Sequence, residues 1–141
     1  MSNKRSVLVL CTGNSARSQM AEGLINARLE GFEAYSAGTH PAAQVNPNAV
    51  AALADIGIDI SGSSRPKSVD EFKGRRFDFV ITVCSSADAN CPAWIGKVGE
   101  RCHIGFEDPS HTKGTPQEVL DAFKKTRDMI EEQVFSYLRS H

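Results

Sequence analysis

Hydrophobic and polar positions along the chain follow two periods in alternation. Val7-Leu8-Val9-Leu10 is an unbroken aliphatic run that stops at Cys11-Thr12-Gly13-Asn14-Ser15, the pattern of a buried strand running into a loop. From about Ser15 the period turns helical. Met20, Leu24 and Leu29, with Ala21 and Ala27 beside them, recur at three- to five-residue intervals, and Gly31 predicts the stop. Glu33 to Ser36 predicts a short second strand, broken by Gly38 and Pro41. Asn46-Pro47 ahead of Val50, Leu53 and Ile56, with Gly57 behind, puts a cap, a first-turn proline and a terminating glycine in helical order. Ser61 to Ser68 is polar and turn-rich, a surface loop before a short helix at Val69 to Phe72. Phe77 to Val83 is the third strand and Arg101 to Phe106 the fourth, closed by Asp108-Pro109. Thr115-Pro116-Gln117-Glu118 combines a capping box with a first-turn proline, and Val119, Phe123, Ile130, Val134 and Leu138 carry an apolar stripe to the end.

Strands alternating with helices specify a parallel sheet with right-handed crossovers, a doubly wound α/β domain. Ligands of such sheets gather outside the carboxyl ends of the strands. That rule puts the loop after strand 1, Cys84 after strand 3 and Asp108 after strand 4 on one rim. Composition narrows the setting. The 141 residues, 40% hydrophobic and 23% charged, fit one domain over 1–141 without repeat or linker. A net charge of −1 removes the polyanion-coating and nucleic-acid classes. No stretch nears the ~18 apolar residues of a membrane span, and Val7 to Leu10 is too short for a signal-peptide core, so a cytoplasmic protein is expected. Cys11, Cys84, Cys91 and Cys102 are few for a disulfide scaffold and point to thiol chemistry. Their spacing lacks the short ligand pairs of structural zinc sites, and no metal site is expected.

The chemistry concentrates between Cys11 and Ser18. A cysteine at a strand end is followed by five loop residues and an arginine in the first turn of a helix. Backbone N–H groups of Thr12, Gly13, Asn14, Ser15 and Ala16, with the Arg17 guanidinium, suit a tetrahedral oxyanion. Cysteines in such settings have pKa values lowered to roughly 3.5–7.5, so Cys11 is expected to be a thiolate nucleophile, with Ser18 offering its sulfur a hydroxyl donor. Dinucleotide and Walker loops need glycines and a Gly-Lys-Ser/Thr end that this loop lacks. The plain alternative makes Cys11 a buried hydrophobe and Arg17 a surface charge. An oxygen leaving an oxyanion needs an acid, and Asp108 on the same rim is the candidate; otherwise it only opens a turn before Pro109.

These segments resemble the low-molecular-weight protein tyrosine phosphatase superfamily, and within it the arsenate reductases coupled to thioredoxin. The resemblance runs through Cys11 to Gly23, Tyr35-Ser36-Ala37-Gly38, Val45-Asn46-Pro47, Asp59-Ile60-Ser61, Val83-Cys84-Ser85, Asn90-Cys91-Pro92 and Gly105 to Pro109. It implies a three-layer α/β/α fold with a four-stranded parallel sheet in the order 2-1-3-4, and Asp108 as general acid. In that order strands 1 and 3 are neighbours about 4.8 Å apart, so Cys11 and Cys84 come within the roughly 4.4–6.8 Å between Cα atoms that a disulfide permits. A helical Ser85 to Asn90 would hold Cys84 and Cys91 ~10.5 Å apart, so that segment must unwind or loop to bridge them, as a redox switch would. The expected chemistry is attack of Cys11 on arsenate, arsenite release by Cys84, and resolution by Cys91, with thioredoxin, or else glutaredoxin or a small thiol, as reductant.

Some relatives bind potassium through residues matching Asn14, Glu22, Ser36 and a following aspartate. Here that stretch reads Ser64-Arg65-Pro66-Lys67, so no cofactor is expected and Lys67 or Arg65 is placed to bring a charge near Glu22. The competing enzyme is a phosphotyrosine phosphatase using Cys11, Arg17 and Asp108. Ser110-His111-Thr112-Lys113 offers no aromatic wall for a phenyl ring, and weak aryl phosphatase activity is the most expected of it. A non-catalytic oxyanion or redox module is the third reading, opposed by the intact Cys11, Arg17 and Asp108. Cys102 reads as a buried bystander, His103 as packing, and His40, His111 and His141 as without inferable partners. Trp94 is either core or partner surface. A monomer is expected.

Overall fold

A computed structural model describes residues 4–62, 65–72, 74–84 and 98–141. Four strands, β1 (Arg5–Cys11), β2 (Phe32–Gly38), β3 (Phe77–Thr82) and β4 (Val98–His103), form one sheet in the order β2-β1-β3-β4, as the resemblance implies. Every pairing is parallel. Val7 to Leu10 are fully buried, which explains the unbroken aliphatic run: a central parallel strand has both faces covered. Val7, Val9 and Cys11 face one cluster with Phe79, Ile81 and Val83, whereas Leu8 and Leu10 face another with Ala37, Phe72, Phe77 and Val80.

Three helices cover the first face: α1 (Arg17–Arg28), α2 (Pro47–Ala54) and α3 (Pro116–Arg139). Met20, Leu24 and Ile25 of α1 and Phe123, Ile130, Val134 and Leu138 of α3 supply the buried side chains. The α3 stripe skips a position at Arg127, which is buried nonetheless. Its guanidinium donates to Ala52 O at 2.7 Å and Asp55 Oδ2 at 3.1 Å, fastening α3 to the end of α2. On the second face a 3-10 turn (Val69–Phe72) brings Phe72 against Tyr35 and Phe77 in edge-to-face contacts, with Arg75 4.6 Å above the Tyr35 ring.

The capping box at Thr115 and Glu118 and the Asn46 cap with Pro47 at the first helical position are present. Several boundaries differ from the sequence reading, β2 running on through Gly38 rather than stopping at Ser36. Helix α1 begins at Arg17 rather than Ser15, and its N-cap Ala16 supplies no side-chain acceptor. Strand β4 lies three residues earlier than Arg101 to Phe106. Ile104 and Phe106 remain attached to β3's end through N–H donation to Thr82 O and Val83 O, so their apolar side chains continue the strand pattern beyond the strand. Among the described residues no helix is long and apolar enough to cross a membrane.

Candidate active site

Parallel β1 delivers Cys11 to the carboxyl edge of the sheet, and the chain turns there through Thr12 to Ala16 into α1. Three carbonyls of this turn point outward. Thr12 O, Gly13 O and Ser15 O accept from the N–H groups of His40, Ala42 and Asn46, at 2.8–2.9 Å. Because carbonyl and N–H oppose each other across a trans peptide, the N–H groups of Gly13, Asn14 and Ala16 are turned to the other side. The start of α1, uncapped by any side chain, adds its positive end. Residues Cys11 to Arg17 with Asp108 and His111 line a polar cavity of about 250 Å³, a volume suited to a small oxyanion.

Asn14 makes the sharp turn. Its φ of +50° lies in the left-handed region, where asparagine is tolerated better than most residues. Its buried side chain donates to Ser18 Oγ at 2.8 Å and accepts from Lys67 N at 2.8 Å and Gln19 Nε2 at 3.1 Å. Gln19 Nε2 also reaches Asn14 O at 3.1 Å and Arg65 O at 2.9 Å. Gly38 closes the loop from behind: a β-carbon there would collide with Thr12 O and come within 2.9 Å of Cys11 O.

Arg17, nearly fully buried, donates from Nη1 to Phe106 O at 3.0 Å and places Nη2 3.5 Å from Asp108 Oδ2. Asp108 Oδ1 accepts from Ser110 N at 2.9 Å and Ser110 Oγ at 2.7 Å. His111 Nε2 stands 3.6 Å from Asp108 Oδ2. The sequence reading gave His111 no partner, although the Asp-Pro start of a turn with a histidine three residues on was the available signal.

Cys11, Arg17 and Asp108 thus meet at one cavity, and Cys84 joins them from below. Both cysteines are free thiols, and Cys84 is fully buried with its sulfur 3.9 Å from Thr12 Oγ1. The expected lowering of the Cys11 pKa is not what this arrangement gives. A hydrogen bond with the Cys84 thiol and burial push Cys11 upward, and the Arg17 charge and the Thr12 N–H only partly oppose them. The strand order expected from the sequence already brings Cys84 near Cys11; what it leaves out is the effect of that thiol on the ionisation of Cys11. Ser18, expected to offer its hydroxyl hydrogen to the Cys11 sulfur, accepts at Oγ from Asn14 Nδ2, a bond that uses its oxygen and not that hydrogen.

Behind the loop Lys67 Nζ lies 3.6 Å from Glu22 Oε1 and donates to Arg65 O at 3.1 Å, while Ser36 Oγ donates to Glu22 Oε1 at 2.5 Å. Of the two candidate cations near Glu22 it is Lys67 that arrives; Arg65 pairs with Glu71. Two other readings change. Cys102 is half-buried rather than buried, and His103 is exposed and bonded to Thr82 Oγ1 at 2.6 Å rather than packed. Cys91, Trp94 and the Ser85 to Asn90 segment lie outside the described residues. Among the described residues no cluster of His, Cys, Asp or Glu could hold a metal ion.

Residues 6–140 match the low molecular weight phosphotyrosine protein phosphatase family, and the chain belongs to it. Its relatives in that family include the arsenate reductase of Halalkalibacterium halodurans, 42% identical over 96% of each chain. Among solved structures, an arsenate reductase in the phosphate binding state superposes with a TM-score of 0.79 at 28% identity, over 96% of this chain and 98% of that one. A thioredoxin-dependent arsenate reductase of Corynebacterium glutamicum superposes with a TM-score of 0.61 at 27% identity, over 99% of this chain and 65% of that one.

Proposed function

We propose that this protein reduces arsenate to arsenite through a cysteine relay. The observation that carries the reading is the second thiol: buried Cys84 hydrogen-bonds Cys11, which lines an oxyanion-sized polar cavity. A phosphatase needs one cysteine in this place and has no step for a second. A reductase needs both.

The Cys11 sulfur passes its thiol proton to an oxygen of the arsenate held by the loop N–H groups and Arg17 as it attacks arsenic, and the arsenic–oxygen bond breaks as Asp108 protonates the departing oxygen. Cys84 sulfur then attacks Cys11 sulfur. The electron pair of the sulfur–arsenic bond goes to arsenic, which leaves as arsenite, and two thiols become one disulfide. Attack of Cys91 on Cys84 frees Cys11, and an external dithiol reduces the Cys84–Cys91 bridge by exchange. Thioredoxin is the proposed dithiol, supported by the dependence of the C. glutamicum relative; glutaredoxin or a small thiol is the alternative. Arsenic detoxification in the cytoplasm is the setting this implies. The phosphate-binding state of a solved relative supports the cradle's suitability for tetrahedral oxyanions in general, and with it a slow aryl phosphatase side activity.

Lys67 takes the place of a bound cation at Glu22 in this reading, so activity in sodium and potassium buffers should agree. The deciding experiment is arsenate-dependent NADPH consumption with thioredoxin and its reductase, beside glutathione and glutaredoxin. Wild type should turn over and Cys84→Ser should not; normal turnover by Cys84→Ser would refute the relay. Hydrolysis of aryl phosphate far faster than arsenate reduction would replace reductase by phosphatase.

A further inference from the structure

His111 stands at the mouth of the cavity with no task in the relay. Its imidazole lines the cavity beside the anion loop, and the side chain is 80% exposed, whereas that of Asp108 is only 19% exposed. The two oxygens of Asp108 are not equivalent. Oδ1 is occupied by Ser110 N and Oγ, which fixes the carboxyl group and leaves Oδ2 for proton transfer. Oδ2 has two nitrogen neighbours, Arg17 Nη2 at 3.5 Å and His111 Nε2 at 3.6 Å. A guanidinium does not give up its proton in a protein, whereas imidazole is the side chain that exchanges protons near neutrality. A carboxylic acid that gives its proton to a leaving oxygen must be reprotonated before the next attack, so Asp108 needs a source of protons.

We infer that His111 is a positioning residue that reloads Asp108, carrying a proton from solvent to Oδ2 before each attack on the oxyanion. The inference rests on the reading of Asp108 as the acid of arsenate reduction. The step balances: imidazolium Nε2–H gives its proton to Oδ2, Oδ2–H gives that proton to the oxygen leaving arsenic, water departs, and the imidazole regains a proton from solvent. No electrons move until Cys84 acts. The groups around the imidazole are Asp108 from its own segment and Arg17 from α1. Helix α3 packs against the turn that bears His111, and its first-turn carboxylate, Glu118, is tied to Thr115 N at 3.0 Å.

The test is single-turnover arsenite release from the fully reduced protein, which removes the later exchange steps, between pH 5.5 and 8.5. His111→Gln should lose about tenfold in rate at pH 7.5, less than the ~10²–10⁴ of a direct acid, with half-saturating arsenate unchanged within about twofold. The deficit should shrink towards pH 5.5, and added imidazole should restore His111→Ala. A ground-state measurement stands beside it: the NMR signal of His111 Nε2 should move in Asp108→Asn, because that nitrogen faces Asp108 Oδ2. A His111→Gln profile that overlays wild type, a change confined to half-saturation, absence of imidazole rescue, or an unmoved Nε2 signal would each overturn the inference. Wild type that leaves arsenate untouched would instead sink the functional reading, and the NMR arm would still report on the pair.

Discussion

Two thiols in contact, one guanidinium and one carboxyl group define what each residue can be asked to do. Because the Cys84 hydrogen bond is the largest influence raising the Cys11 pKa, Cys84→Ala should lower it. More thiolate is then present at pH 7, and alkylation of Cys11 by iodoacetamide should be faster than in wild type, with the midpoint of its pH profile moved to lower pH. An unmoved midpoint would mean that the two sulfurs do not share a proton. Arg17 is held by Phe106 O and faces Asp108, a fork geometry that an ammonium cannot reproduce. Arg17→Lys should lower kcat/KM for arsenate by about 100-fold, read from initial rates. The nucleophile and arginine were legible in the sequence because their spacing is local. The ionisation of Cys11 was not: the strand order brings Cys84, 73 positions away, near it, but whether the two thiols bond depends on side-chain packing that no pattern announces.

Loop, strand and helix hold the site through backbone contacts that side-chain patterns do not announce. Gly38 ends β2 directly against the anion loop, so Gly38→Ala must push Thr12 and Cys11 out of place. A displacement on the order of 1 Å is enough to cost ~10²-fold in rate; phosphate affinity by calorimetry should fall with it while the far-ultraviolet dichroism stays native. Lys67 ties the segment before the 3-10 turn to both Asn14 and Glu22. Lys67→Met should leave the Glu22 carboxylate without its cation and raise KM for arsenate more than it lowers kcat. An unchanged KM would show that the ammonium does not hold the loop. Capping signals located α2 and α3 well, because a cap is a local hydrogen bond. Strand β4 was misplaced because Cys102, Ile104 and Phe106 alternate like a strand after the ladder with β3 has ended.

At the scale of the whole molecule, Arg127 joins α2 and α3, and its loss leaves Ala52 O without its donor. Arg127→Met should cost about 1–3 kcal/mol, read as a lower urea midpoint. Asp78 joins the amino ends of β1 and β3: hydrogen bonds from Ser6, led by its backbone N–H, hold its carboxyl below the ordinary range. That contribution is full above the unfolded carboxyl pKa near 4 and disappears as pH falls through the lower folded value. Asp78→Asn should therefore flatten the decline of stability between about pH 4 and pH 2. The fold class and the rim were readable from the alternation of strands and helices, whereas the arrival of His111 beside Asp108 needed the turn after Pro109 in three dimensions. The central place of β1 has a further consequence for biosynthesis. Its partners lie at Phe32–Gly38 and Phe77–Thr82, and the acid at Asp108 comes later still. On the ribosome, Cys11 emerges first and waits without the thiol that restrains it until β3 and Cys84 have been made.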